Sequence, residues 1–179
     1  MIKKRLFIGV PLPDNVKRKI KKYSENFKQI LKANFVQEEN YHITLKFLGY
    51  CNNEKKIIEN LNNITFEAFN VIVQDLGVFP NERVPRILWV GANNFNKFMN
   101  LHNVINENLK QLNFEENKKF HPHITIARIK FVKNKEDFKK LIKNKVIFGR
   151  IKISSFVLYE SVLKPTGPIY KIIKKFSYL

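Results

Sequence analysis

The sequence predicts an α+β chain made of two similar halves that face one another, and three observations predict it. The four-residue signature His-x-Thr-aliphatic occurs twice, as His42-Ile43-Thr44-Leu45 and as His123-Ile124-Thr125-Ile126. Each copy sits in an apolar run that reads as a β-strand. Each is preceded by a matching run at equal spacing: Ile8 lies 34 residues before His42, and Trp89 lies 34 residues before His123. Both halves then read strand, helix, motif strand, helix, strand. A duplication with units of approximately 1–80 and 81–179 would bring the two motif strands to matching places on facing sheets.

The elements follow in order. Leu6 to Leu12 is apolar and extended, and Pro13-Asp14 opens a helix. Val16, Ile20, Tyr23, Phe27, Ile30 and Leu31 recur at helical spacing, so this basic helix is expected to run to about Ala33. Tyr41 to Gly49 is the first motif strand, Asn53 to Asn62 a short helix, and Phe66 to Phe79 a strand alternating around Phe69, Val71 and Val73. The turn chemistry of Phe79-Pro80-Asn81-Glu82-Arg83 separates the halves. Ile87 to Gly91 is then a strand, and Asn94 to Leu112 a helix carrying Phe98, Leu101, Ile105 and Leu109. His121 to Lys130 is the second motif strand, Lys135 to Lys143 a helix, Gly149 to Glu160 a strand, and Tyr170 to Tyr178 the last strand. No Gly/Ser linker interrupts the chain, so residues 1–179 are expected to form one two-lobed domain.

Composition narrows the function. The chain has 179 residues, of which 44% are apolar and 16 are Phe, enough for a real core. Thirty-three basic residues against 15 acidic ones give a formal charge of +18. A field of that sign attracts polyanions, with RNA, DNA and anionic membranes as candidates, although a Lys-rich surface can also be a solvated coat. The single cysteine, Cys51, excludes an intramolecular disulfide and fits a reducing, cytoplasmic setting. The N-terminal apolar run stops at Pro11 and reads as a first strand rather than a signal peptide. No stretch approaches the roughly 20 apolar residues of a membrane span. No Gly-rich phosphate loop appears, which argues against an ATP-dependent ligase.

The motifs carry the chemistry. Side chains two apart on a strand share a face, so each motif presents one imidazole and one hydroxyl to the same space while its aliphatic residues enter the core. Two imidazoles and two hydroxyls around one cleft suit phosphodiester cleavage: one His as base, one as acid, and Thr44 and Thr125 as donors to phosphate oxygens. Lys46 has the parity of His42 and Thr44, so it is expected to line the cleft or to be a solvated lysine. Strict alternation puts Arg128 on the face opposite His123 and Thr125; only a bulge after Thr125, or the strand end, would re-aim it. His121 is expected to support or rim the site, and His102 to lie on the helix surface. His121-Pro122-His123 has no Cys or well-spaced carboxylate beside it, so no metal site is expected.

The chain also resembles a known family, the RNA 2′,3′-cyclic phosphodiesterases of the 2′-5′ RNA ligase group, within the two-histidine phosphoesterases. The matching stretches are Arg5 to Pro13, His42 to Gly49, Pro85 to Gly91, Phe120 to Arg128, Leu158 to Ser161, and Pro165 to Tyr170. The resemblance implies two lobes, each an antiparallel sheet with helices outside, meeting in a V-shaped cleft. It implies hydrolysis of an RNA terminal 2′,3′-cyclic phosphate to a 2′-phosphate, without metal or other cofactor, and, in reverse, 2′-5′ ligation. It makes His42 the proton donor to the leaving 3′ oxygen, His123 the proton acceptor from water, Thr44 and Thr125 holders of phosphate oxygens, and Arg128 a phosphate contact. The expected partner is an RNA with a cyclic phosphate end, met by a monomer with no membrane attachment. A non-catalytic RNA-end binding module is the alternative, and the two intact His-x-Thr motifs argue against it.

Overall fold

A computed structural model of the chain describes residues 3–114, 120–165 and 167–177. Strand β1 (Lys4–Pro11) leads into helix α1 (Asp14–Ser24), then β2 (Leu31–Phe35), β3 (His42–Cys51), α2 (Glu54–Asn62) and β4 (Phe69–Phe79). The second half runs β5 (Ile87–Ala92), α3 (Phe95–Leu109), β6 (His123–Val132), α4 (Lys135–Lys143), β7 (Ile147–Ile153), β8 (Ser155–Lys164) and β9 (Gly167–Ser177). The expected last strand reached Tyr178, and the matching tail includes Thr166; both residues lie outside the described ones.

All pairings are antiparallel, and the strands form two sheets ordered β3-β1-β8-β9 and β2-β6-β5-β4-β7. Helices α2 and α3 pack on the first sheet, and α1 and α4 on the second. The expected class, two antiparallel lobes with helices outside, is therefore the one observed. The lobes are not the two halves of the sequence, however. Each sheet draws strands from both halves, and each long helix packs on the sheet opposite to that of the strand before it.

Three expectations need correction. The first helix ends at Ser24 rather than near Ala33, with a 3₁₀ turn over Glu25–Phe27. The Ser24 hydroxyl donates back to the Lys21 carbonyl at 2.7 Å, one way such residues compete with a helix. Beyond it, residues 31–35 pair with β6 as an edge strand. The long strand expected from Gly149 to Glu160 is two strands. β7 ends at Ile153 in one sheet, and β8 begins at Ser155 in the other, so the chain changes lobes at Ser154. The equal spacing of Ile8 and Trp89 is off by one in space. Gly9 faces Thr44 as Trp89 faces Thr125, and Ile8 faces Lys46 as Leu88 faces Ala127. Cross-strand pairing defines equivalence here, and the intervening connections absorb the extra residue.

The same pairing shows a shared irregularity. Between the Gly9–Thr44 and Ile8–Lys46 pairs, Leu45 has no partner; between the Trp89–Thr125 and Leu88–Ala127 pairs, Ile126 has none. Each motif strand thus bulges one residue after its threonine. Leu45 and Lys46, and likewise Ile126 and Ala127, all turn inward. From that point the faces of both strands are exchanged.

Candidate active site

The motif strands β3 and β6 belong to different sheets and pack against each other. Between the lobes lies a cleft of about 830 Å³ whose lining includes His42, Thr44, Thr125 and Arg128. His123 is not part of that lining. It stands two residues from Thr125 on β6, half-buried beneath Phe79 and Trp89, with ring centroids 5.0 and 6.3 Å away. Its charge is nonetheless felt at His42.

Both imidazoles are held by the same device. The Nδ1 of His42 lies 2.6 Å from the Asn40 carbonyl, and the Nδ1 of His123 lies 2.7 Å from the His121 carbonyl. A carbonyl only accepts, so Nδ1 carries the hydrogen in each ring and Nε2 is left for chemistry. The His42 Nε2 meets the Thr44 hydroxyl at 2.9 Å. Asn40 is itself fixed, its side-chain amide donating to the Pro168 carbonyl at 2.8 Å. Aromatic walls complete the clamps. Phe7 lies 4.9 Å from the His42 ring, and Tyr170 meets it edge-on at 5.1 Å.

Burial sets the titration. It pushes His42 down to about 4; the hydrogen bond to Asn40 opposes this, while charge on His123 and Lys17 adds to it. Burial also lowers His123, His121 and His102. An unfolded histidine takes up its proton near 6.5. Below that pH the unfolded chain binds more protons than the folded one, so stability is present above about 6.5 and is lost as pH falls toward about 4. The part due to His42 is at most about 3 kcal/mol, less where cleft water screens the ring. The expected outcome is a thermal midpoint clearly lower at pH 5 than at pH 7, with a shallower fall in His42→Gln. An equal midpoint at the two pH values would contradict the burial of the rings.

The bulges decide two residues. Arg128 follows the bulge at Ile126, so it emerges on the face of Thr125 and lines the cleft. This is the local break that strict alternation lacked. The equivalent bulge at Leu45 acts oppositely on Lys46. It is turned inward, 3% exposed, and close enough to His102 to disfavour charge there. The expectation that Lys46 shares the face of His42 and Thr44 is therefore corrected: the cleft position falls to Phe47, which is 57% exposed. His102 is also corrected. It is buried rather than on the surface, with Nδ1 2.8 Å from the Leu45 carbonyl and its ring stacked on Phe120 at 4.4 Å. It holds the backbone at the bulged residue. His121 rims the second clamp, its ring 5.0 Å from Trp89 and 5.6 Å from Phe79. Among the described residues, no three His, Cys, Asp or Glu side chains gather as a metal cage.

One imidazole, two hydroxyls and an arginine lining an interlobe cleft, with a second imidazole two residues from the cleft's Thr125, are parts that suit a phosphoesterase. A family model described as LigT-like phosphoesterase matches residues 10–89 and again 91–170. The chain belongs to the LigT-like phosphoesterase family. A Methanocaldococcus jannaschii protein named RNA 2′,3′-cyclic phosphodiesterase is 38% identical over 96% of this phosphoesterase and 99% of its own length. An Archaeoglobus fulgidus protein of the same name is 36% identical, covering 97% and 99%. A crystal structure of a Thermus thermophilus protein superimposes with a TM-score of 0.81 at 28% identity, covering 97% of both chains. The phosphoesterase contains no helix long and apolar enough to cross a membrane among its described residues.

Sequence reasoning missed the aromatic clamps. Phe7 and Tyr159 form a small separate core with Val157 and Tyr170 on the cleft side of the first sheet. Tyr159 is pushed up to about 12 by burial, so it stays neutral. The signal lay in strand parity: Phe7 alternates with Leu6 and Ile8 on β1 and packs in a different cluster from theirs.

Proposed function

We propose that this phosphoesterase hydrolyses the terminal 2′,3′-cyclic phosphate of RNA to a 2′-phosphate without a metal ion. The observation that carries the reading is the matched pair of imidazoles, each with Nδ1 fixed on a carbonyl and Nε2 left for chemistry. His123 takes a proton from water as the water attacks phosphorus. His42 gives its Nε2 proton to the leaving 3′ oxygen. In-line displacement needs attacking and leaving oxygens on opposite sides of phosphorus, which suits groups supplied by two facing strands. Thr44, Thr125 and Arg128 hold the non-bridging oxygens as charge shifts onto them. The names of the two archaeal relatives support the RNA substrate, and so does the net charge of +18.

In the free protein His42 is held neutral near pH 7, yet a proton donor must be charged. The phosphate anion supplies the remedy: its charge favours a proton on His42, while His123, lowered by burial, stays neutral to accept one. Substrate binding therefore loads the acid. The same displacement with a 5′ hydroxyl in place of water forms the P–O5′ bond as the P–O3′ bond breaks, and gives a 2′-5′ linkage. Water outcompetes that hydroxyl by concentration, so ligation is a minor activity.

The test is turnover of a nucleoside 2′,3′-cyclic phosphate in excess EDTA, with the product read by phosphorus NMR. The expected outcome is chelator-resistant hydrolysis to the 2′-phosphate. A 3′-phosphate product would reverse the direction of attack. Activity lost in EDTA and restored by a divalent ion would replace the mechanism with a metal-assisted one. Binding without turnover would favour the RNA-end binding module.

A further inference from the structure

We propose that Arg5, Ser161 and Tyr170, side by side on β1, β8 and β9, form a second phosphate site for the internucleotide phosphate upstream of the cyclic end. The inference rests on the RNA-end reading above and makes chains of two or more nucleotides its preferred substrates.

The three residues form one row across three adjacent strands. Leu6 pairs with Glu160, so in this antiparallel ladder Arg5 lies beside Ser161; Ser161 pairs in turn with Tyr170. All three line the cleft. Ser161 is 7% exposed, and its hydroxyl has no hydrogen-bond partner among the described residues. Leaving a buried hydroxyl unpaired is costly, which marks it as a group awaiting a ligand. Arg5 is exposed, and none of the ion pairs among the described residues uses it. Among the described residues, the cleft lining holds two arginines and neither Asp nor Glu. Burial keeps the Tyr170 phenol protonated, and both Arg128 and Arg5 are near enough to act on it. A cation and two hydroxyls on one wall, with no competing carboxylate among the described residues, match the oxygens of a phosphodiester.

The row is distinct from the reacting centre. Gly9 pairs with Thr44, and Arg5 is four residues farther along β1, about 13 Å at the rise of a strand. The guanidinium can reach back part of that distance on its flexible stem. Its place therefore suits a phosphate on the next nucleotide rather than the one being cleaved. Tyr170 joins the two centres, because its ring packs edge-on against His42.

The experiment compares three substrates: a nucleoside 2′,3′-cyclic phosphate, a dinucleotide ending in the same cyclic phosphate, and that dinucleotide with a neutral methylphosphonate linkage. The expected kcat/KM for the charged dinucleotide exceeds that of the mononucleotide by about ten- to a hundredfold, chiefly through KM, as for a charge-assisted hydrogen bond. The neutral linkage removes most of the gain. In Arg5→Ala the charged-to-neutral ratio falls toward one, and Arg5→Lys keeps part of it. Equal rates for charged and neutral dinucleotides, or a ratio that survives in Arg5→Ala, would overturn the second site. Failure of the wild type to hydrolyse any of the three would instead sink the proposed reaction. The site is then read by calorimetry with the two dinucleotide 2′-phosphates, where tighter binding of the charged linkage supports it and equal binding refutes it.

Discussion

Replacing His42 or His123 by alanine lowers the hydrolysis of a nucleoside 2′,3′-cyclic phosphate by about 10²–10⁴ in kcat, the usual weight of one positioned acid or base. The two losses do not add in the double variant, because the groups act on one displacement and removing either disables it. The fold survives both changes. Neither residue is fully buried, and the surrounding clamps, Phe7 and Tyr170 on one side and Phe79 and Trp89 on the other, keep their own packing. Circular dichroism checks the fold and steady-state kinetics check the rate. A His123→Ala enzyme turning over at near wild-type speed would leave water activation to some other group.

Gly77→Ala is expected to do comparable damage from a position that touches no substrate. Gly77 pairs with Trp89 across β4 and β5. A methyl group there would sit 2.1 Å from the Trp89 ring, inside any permitted contact. The indole packs at an angle against both His123 and His121, so it cannot move without disturbing both. Overpacking of this kind typically costs about 1–3 kcal/mol of stability. The sharper effect is on kcat, since a base displaced by even about 1 Å can lose some 10²-fold. Thermal unfolding and kinetics on the same sample separate the two. Full activity together with a lowered midpoint would show that the Trp89 wall is structural only.

The pairing inside each motif was legible because it is local. A histidine and a threonine two apart on a strand share a face whatever the rest of the chain does, so His42 with Thr44 and His123 with Thr125 could be paired by parity alone. Parity stops being informative at a bulge. Bulges are set by cross-strand pairing, and nothing in Thr44-Leu45-Lys46 or Thr125-Ile126-Ala127 announces one. Arg128 and Lys46 were therefore open questions in sequence, and the same irregularity answers them in opposite directions. Residues 31–35 were misread for a related reason. Ile30 and Leu31 satisfy helical spacing, yet a five-residue edge strand is stabilised by pairing with β6, a partner almost 100 residues away. His102 was misjudged because its neighbours Asn100, Asn103 and Asn106 are polar, while the imidazole reaches a carbonyl on another element. The row of Arg5, Ser161 and Tyr170 is likewise invisible in one dimension. Its members come from three strands that only the sheet order makes adjacent.

The central claim is that His42 and His123 flank a single phosphate. NMR of histidine-labelled protein, titrated with pH in the absence and presence of a nucleoside 2′-phosphate, tests it most directly. The account predicts that both the His42 and His123 rings, depressed in the free protein, shift and titrate at higher pH when the phosphate is bound, while the buried His102 does not respond. A response confined to one of the two rings, or absent from both at saturating ligand, would contradict a shared phosphate between them.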